Sequence, residues 1–304
     1  MPELPDITVY CEALAKRVQH TALRGVRLKS AFLLRTVDPP PSAMVGKTVL
    51  SIRRLGKRIV LGFEDELFAV IHLMIAGRLQ WNSKAAAAIA NKLNLAAFDF
   101  DKGTLLLTEA SRKQRASLHM VQGAAALAAL DRGGVEPLEC TRAAFANALI
   151  CESHTLKRTL TDPTLISGVG NAYSDEILHR ARMSPLQLTK KMNDAQIDQL
   201  FEATRAVLSD WTARLRAEVG DGWPKHVTAF RDGMAVHGRF GLPCPACGAA
   251  VQRIAYADNE TNYCPLCQTG GKLLADRSIS QLMRGDWPKT LAELEERRRT
   301  LQNS

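Results

Sequence analysis

Two Cys-x-x-Cys knuckles constrain this chain more than any other feature. Cys244-Pro-Ala-Cys247 and Cys264-Pro-Leu-Cys267 are separated by residues 248–263, and each presents two thiolates from a tight turn. Two such knuckles close a tetrahedron around one Zn²⁺. The residues between them suit a β-hairpin whose tip falls near Asp258 and Asn259. Sulfur in all four positions leaves no place for a metal-bound water, so the zinc is structural and the chemistry has to lie elsewhere. The other cysteines, Cys11, Cys140 and Cys151, are scattered. That usage fits a reducing compartment. No basic segment followed by an apolar run opens the chain, and no stretch reaches the ~18 apolar residues that span a bilayer. A cytoplasmic protein with no membrane association is expected.

Charge narrows the partner. The 304 residues allow two ordinary domains, and 40 Lys and Arg against 31 Asp and Glu leave a formal +9. Such an excess favours an anionic partner, nucleic acid ahead of a membrane surface. A basic enzyme with no polyanion partner is the plainer reading of the same number.

Along the chain, an opening helix capped by Asp6 is expected, with Ile7, Tyr10, Cys11, Leu14 and Val18 at helical spacing. Strand patterns follow over Val26–Phe32, Val49–Phe63 and Leu67–Leu73, and Asp101-Lys102-Gly103 reads as a hairpin turn. An Ala-rich stretch before Phe98 fits no element. Asp131-Arg132-Gly133-Gly134 reads as a linker, after which helical periodicity runs from Thr141 to Val219. Its clearest segment begins at Asn193, with Gln196 placed for a capping box. The charged run at the C-terminus has the pattern of a solvated helix.

The second residue is proline, small enough for Met1 to be removed, which makes the Pro2 nitrogen a terminal secondary amine. Such an amine can attack an electrophilic sugar carbon and form an iminium, the covalent logic of a lysine Schiff base. A helix starting just downstream points its positive end at the amine and favours the neutral form. Glu3 adds a carboxyl group that can pass protons.

MPELPD at the start, the Gly56-Lys57-Arg58 hairpin, HLMIAG (His72–Gly77), SGVGNAYSDE (Ser167–Glu176) and the four-cysteine hairpin occur in this order. Together they resemble the formamidopyrimidine-DNA glycosylase and endonuclease VIII family of base-excision repair enzymes, over Pro2 to about Cys267. The PELP start is closer to the formamidopyrimidine branch.

The resemblance implies an α+β multidomain fold. A helix and β-sandwich would occupy residues 1–130, a helix–two-turn–helix domain 131–222 and a zinc-finger hairpin 223–270. An extension of unassigned role would fill 271–304. DNA is expected in the cleft between the domains. It further implies a monomeric bifunctional glycosylase and abasic-site lyase acting on damaged DNA, with one structural Zn²⁺. Pro2 matches the nucleophile, Glu3 the essential acid and Lys57 a lysine that reaches the phosphates around the lesion. Lys157, Gly170 and Asn171 match the phosphate-binding turn, which leads into a helix expected to begin at Tyr173, and Ile75 matches the first residue that fills the gap left by a flipped base.

Departures accompany the match. The segment EASRKQRAS carries Arg112, Lys113 and Arg115 but no aromatic wedge, which makes it a basic patch. Asn259 stands where the family has the finger arginine that assists the second, δ, elimination. The stretch Asp221–Pro243 is short for the loop that caps 8-oxoguanine, so weak activity on that lesion is expected. A catalytically impaired binder of damaged DNA is the alternative these departures suggest. A zinc-ribbon RNA-associated protein fits charge and metal only.

Overall fold

The computed structural model describes residues 1–256, 259–275 and 288–302. Helix α1 (Leu4–Val18) opens the chain, with Glu3 in extended conformation at its N-cap. The Asp6 carboxylate accepts the Glu3 N–H at 2.9 Å. Pro5 sits in the first turn, where no amide hydrogen is needed. The helix therefore starts two residues before Asp6, the expected cap; Asp6 is the third-position partner in a capping box with Glu3. Ile7, Tyr10, Cys11, Leu14 and Val18 are all buried, as their spacing requires. Leu14 is fully buried, and truncation to Ala there would cost about 2–5 kcal/mol.

Two four-stranded antiparallel sheets share the core that α1 covers. The first runs β1 (Leu23–Leu28), β6 (Asn94–Phe100), β7 (Gly103–Glu109), β5 (Gly77–Asn82). The second runs β2 (Val49–Leu55), β3 (Arg58–Phe63), β4 (Leu67–His72), β8 (Ser117–Gln122). Phe98, Phe100, Leu105 and Leu107 from one sheet meet Ile59, Leu61, Ile71 and Leu118 from the other. Strand β1 ends at Leu28, short of the expected Phe32, which is exposed on a 3-10 turn. The expected hairpin turn forms over Asp101 and Lys102 alone, since Gly103 already belongs to β7 and pairs with Phe100.

The Ala-rich segment is a strap outside the sheets. Ala87 N–H donates to the Thr104 hydroxyl at 3.0 Å, and Arg27 donates to the Ala87 carbonyl at 2.7 Å while paired with Asp99. Helix α2 (Ala124–Ala128) lies on the outer face of the second sheet, where Leu127 packs with Val60, Val70 and Val121.

The chain divides into two compact units that do not follow sequence order: Met1–Gly133 with Ser209–Ala229, and Gly134–Leu208 with Phe230–Ser304. The later segment joins the sandwich through Trp223. Its indole donates to the Leu79 carbonyl at 2.9 Å, and its ring centroid lies 5.7 Å from Tyr10 and 6.3 Å from Trp81.

In the second unit, Thr141 caps α3 (Arg142–Ile150) and Thr155 caps α4 (Leu156–Thr161). Then come α5 (Asn171–Arg180) and α6 (Asp194–Val219), whose last turns from Ser209 belong to the first unit. The capping box expected at α6 forms: Asn193 N–H donates to Gln196 Oε1 at 3.2 Å, and Gln196 N–H to Asn193 Oδ1 at 2.9 Å. The hairpin β9 (Gln252–Ala255) and β10 (Glu260–Tyr263) leads into α7 (Pro265–Thr269), and α8 (Leu291–Gln302) follows. After α7 the chain returns to the finger, where Leu291 N–H donates to the Gly271 carbonyl and Leu274 N–H to the Tyr263 hydroxyl.

Candidate active site, metal centre and nucleic-acid contacts

Pro2 and Glu3 are buried at the N-terminus of α1, with Glu3 only 2% exposed. With Met1 in place, the terminal ammonium is pushed below its ordinary value, mainly by burial. Arg78 and Lys57 push in the same direction, while Glu3 and Asp6 oppose them. The two cations therefore lie close enough to the chain end to act on an amine there. Lys57 occupies a two-residue turn with Gly56, whose φ of +59° suits glycine, and Leu55 pairs with Arg58 across it. Arg78 was not picked out from the sequence. It is the second residue of β5 and folds back to the Ile75 and Gly77 carbonyls.

The loop between β4 and β5 carries Ile75, which is 60% exposed. Nearby in sequence, the loop after β7 is folded by buried Glu109, whose carboxylate accepts Arg115 N–H at 3.0 Å and Ala116 N–H at 2.9 Å. That fold leaves Arg112, Lys113 and Arg115 exposed.

In the second unit, Gly168 has a φ of +77° and Gly170 is the N-cap of α5. The helix begins at Asn171, two residues earlier than the expected Tyr173. Asn171 Nδ2 donates to the Glu260 carbonyl at 2.9 Å, so this side chain also ties α5 to the finger hairpin. The Lys157 ammonium donates to the Asn171 carbonyl at 2.7 Å and pairs with Asp175 at 2.6 Å. The other oxygen of fully buried Asp175 meets His237 Nδ1 at 2.7 Å. Beside it, the Glu176 carboxylate accepts the N–H groups of Ala235, Val236 and His237 at 2.7–2.9 Å. Burial raises the Glu176 pKa against those three donors. Lys157 is thus mostly enclosed and braces the turn that presents Asn171.

The four cysteines converge as their spacing demands. All four Sγ atoms lie within 4.8 Å of one another, with Cys244 to Cys267 at 3.9 Å and Cys247 to Cys264 at 3.4 Å. A tetrahedral zinc with ~2.3 Å bonds needs sulfurs ~3.8 Å apart. The cluster fits one structural Zn²⁺ held by Cys244, Cys247, Cys264 and Cys267. His179 Nε2, on α5, lies 3.3 Å from Cys244 Sγ, a distance at which an N–H can steady a metal-bound thiolate. Gln268 bridges the second knuckle to the end of α5, accepting Cys264 N–H and donating to the Met183 carbonyl. Asn259 is exposed at the end of the hairpin, and Asp258 lies outside the described residues. Arg253, the nearest finger arginine in sequence, pairs with Glu260 and stacks on Phe240.

A zinc ribbon, a helical unit and a helix-fronted β-sandwich in one chain are the parts of a fold seen in solved structures. The Lactococcus lactis Fpg in complex with an abasic-site DNA superposes with a TM-score of 0.77 at 23% identity, covering 88% of this chain and 99% of that one. The same enzyme bound to a FAPY-dG DNA gives 0.78, again at 23% identity. Models of the formamidopyrimidine-DNA glycosylase N-terminal domain, its H2TH domain and the zinc finger found in FPG and IleRS match residues 1–116, 134–215 and 241–270. Formamidopyrimidine-DNA glycosylase of Chloroflexus aurantiacus is 32% identical over 88% of this chain and 98% of its own length. An uncharacterized formamidopyrimidine-DNA glycosylase-like protein of Mycobacterium tuberculosis is 44% identical over half of this chain and 94% of its own. The chain belongs to the formamidopyrimidine-DNA glycosylase family. Among the described residues, no helix is long and apolar enough to cross a membrane.

Proposed function

We propose that this protein is a monomeric DNA glycosylase and abasic-site lyase of base-excision repair that acts through the Pro2 amine. The observation that carries the reading is the chain end itself. With Met1 in place, the terminal amine lies at a buried helix N-terminus, where burial, Arg78 and Lys57 lower its proton affinity and Glu3 and Asp6 oppose them. The neutral amine is the nucleophile, and a lowered pKa widens the pH range in which that form is present.

A base stacked in a duplex is out of reach of any amine, so the damaged nucleotide is flipped out, at a few kcal/mol. Exposed Ile75 is the apolar group suited to fill the space it leaves. The amine then attacks the sugar carbon that bears the base, the bond from that carbon to the base breaks and the base leaves, taking a proton from solvent. Glu3 takes the proton from the amine and returns it to the ring oxygen, so that the sugar opens to the iminium. The resulting iminium acidifies the neighbouring carbon, and loss of that proton expels the 3′ phosphate in β-elimination. Lys57 supplies positive charge to that phosphate. Asn171, presented by the Lys157-braced turn, and the exposed Arg112 and Arg115 hold the strand through its backbone. With Asn259 in the finger, the strand break stops mainly at β-elimination.

Borohydride reduction on an abasic-site duplex tests the reading. The Met-processed protein should form a covalent adduct, and Pro2→Gly should reduce its rate severely. Adduct formation should also persist below the ordinary pKa of a terminal amine, about 8. The terminal pKa is lowered with Met1 in place, and the same burial and cations acting on the Pro2 amine would carry its neutral form to lower pH, reactivity being lost as pH falls through the depressed value. An adduct indifferent to Pro2→Gly would refute the mechanism.

A further inference from the structure

The outer face of the second sheet holds a group of basic side chains to which the proposed lyase chemistry gives no part. Arg58 on β3 pairs with His72 on β4, and His119 on β8 pairs with Val70, two residues along β4 from His72. Side chains alternate along a strand, so Arg58, His72 and His119 share one face, continuous with the Val60, Val70 and Val121 cluster under α2. Arg35 joins them: its N–H donates to the Leu118 carbonyl, and its charge bears on His119.

Two features show that this cluster is incomplete. Arg58 donates from Nη1 to the Leu130 carbonyl at 2.8 Å, but its buried Nε has no hydrogen-bond partner among the described residues, and neither does the buried Nδ1 of His119. Buried polar atoms are rarely left without a hydrogen-bond partner. The charges also repel. Burial and then Arg58, Lys57 and His119 drive the His72 pKa down to about 4. Burial, Arg58 and Arg35 lower that of His119. Arg58 is itself lowered by burial and by Arg132, with Asp131 opposing. Water could fill the open hydrogen bonds but could not offset the charge. An anion does both.

We propose that Arg58 and His119, with Arg35 at the rim, bind a backbone phosphate of the DNA, separate from the groups that meet the lesion. The proposal rests on the reading of this chain as a DNA enzyme. A phosphodiester suits the site because Arg58 directly follows Lys57, the lysine assigned to the phosphates at the lesion, so one strand can supply both anions. Arg58 offers a planar fork and His119 a single ring nitrogen, a set suited to one tetrahedral oxyanion.

The test uses full-length, zinc-loaded protein. For binding to an abasic-analogue duplex, the slope of log K against log salt should fall by about 0.9 in Arg58→Gln, with affinity lower by roughly tenfold. His119→Gln, which spares the Leu130 contact, should weaken binding by a few-fold. In DNA-free protein, inorganic phosphate should shift the imidazole NMR signals of His119 and His72. Unchanged affinity and slope in both variants would overturn the proposal, as would imidazole signals indifferent to phosphate. Shifted signals with unchanged DNA binding would equally reject the DNA backbone as ligand, leaving a free phosphate. Failure of the wild type to form the borohydride adduct, with both slopes behaving as expected, would strike the lyase reading and leave this site standing.

Discussion

Helices α1 and α5 begin in opposite ways, and the difference separates chemistry from grip. At α1, acids occupy the start of the helix: Glu3 is the N-cap and Asp6 accepts the Glu3 N–H. An anionic ligand there would meet two carboxylates, whereas an amine is well placed. At α5, the N-cap is Gly170, which brings no side chain, and the acids lie a turn further on. Asp175 and Glu176 are buried there and committed to Lys157, His237 and three backbone amides. In the proposed reading, that start offers its backbone dipole to a phosphate. The same reading gives one helix start to an amine that loses a proton and the other to a negative charge.

Substitutions at the two starts should therefore fail in different ways. Glu3→Gln keeps the size and some of the capping but removes the proton carrier. It should lower single-turnover cleavage of an abasic duplex by about 10²–10⁴-fold. The dissociation constant should stay within about threefold, and a matching loss of affinity would erase the distinction.

Asp175→Ala breaks a buried pair and strands Lys157 beside His237. It should cost about 3–5 kcal/mol in chemical denaturation of the zinc-loaded protein. A loss under ~1 kcal/mol would show that the turn is held by other contacts. The smallest effect is expected at Asn171→Ala. Affinity for an abasic-analogue duplex should drop by roughly tenfold, the worth of one charge-assisted hydrogen bond. Cleavage at saturating DNA should be nearly unchanged. A slowed chemical step would mean that α5 does more than grip.

The metal centre stands apart from both. Cys264→Ser should leave less than stoichiometric zinc, read by metal analysis of the purified protein, because three thiolates cannot close the tetrahedron. An unchanged metal count would refute the site.

Legibility from sequence tracked how local each signal is. The zinc ligands were readable because each pair is three residues apart and only one geometry serves them. The α6 capping box was readable for the same reason. Pro2 and Glu3 stood out by position at a chain end. Asp175 was not readable, because its partners lie 18 and 62 positions away and their meeting depends on how the finger loop crosses α5. Glu109 looked like the start of a basic patch, yet it is the carboxylate that folds that patch into a loop. The phosphate face required the register of three strands, since Arg58, His72 and His119 align only once β3, β4 and β8 are paired. The helix starts were misplaced, the α1 cap by three residues toward Asp6 and the α5 start by two toward Tyr173, because Pro5 and Gly170 permit an earlier start than capping residues alone suggest.

Of all measurements, peptide mapping of the borohydride-reduced adduct bears most directly on the amine at the head of α1. Digestion and mass spectrometry of the trapped protein should locate the sugar remnant on the N-terminal peptide, at the Pro2 nitrogen with Met1 absent. A remnant on Lys57 or another lysine, or one on a chain that retains Met1, would contradict it.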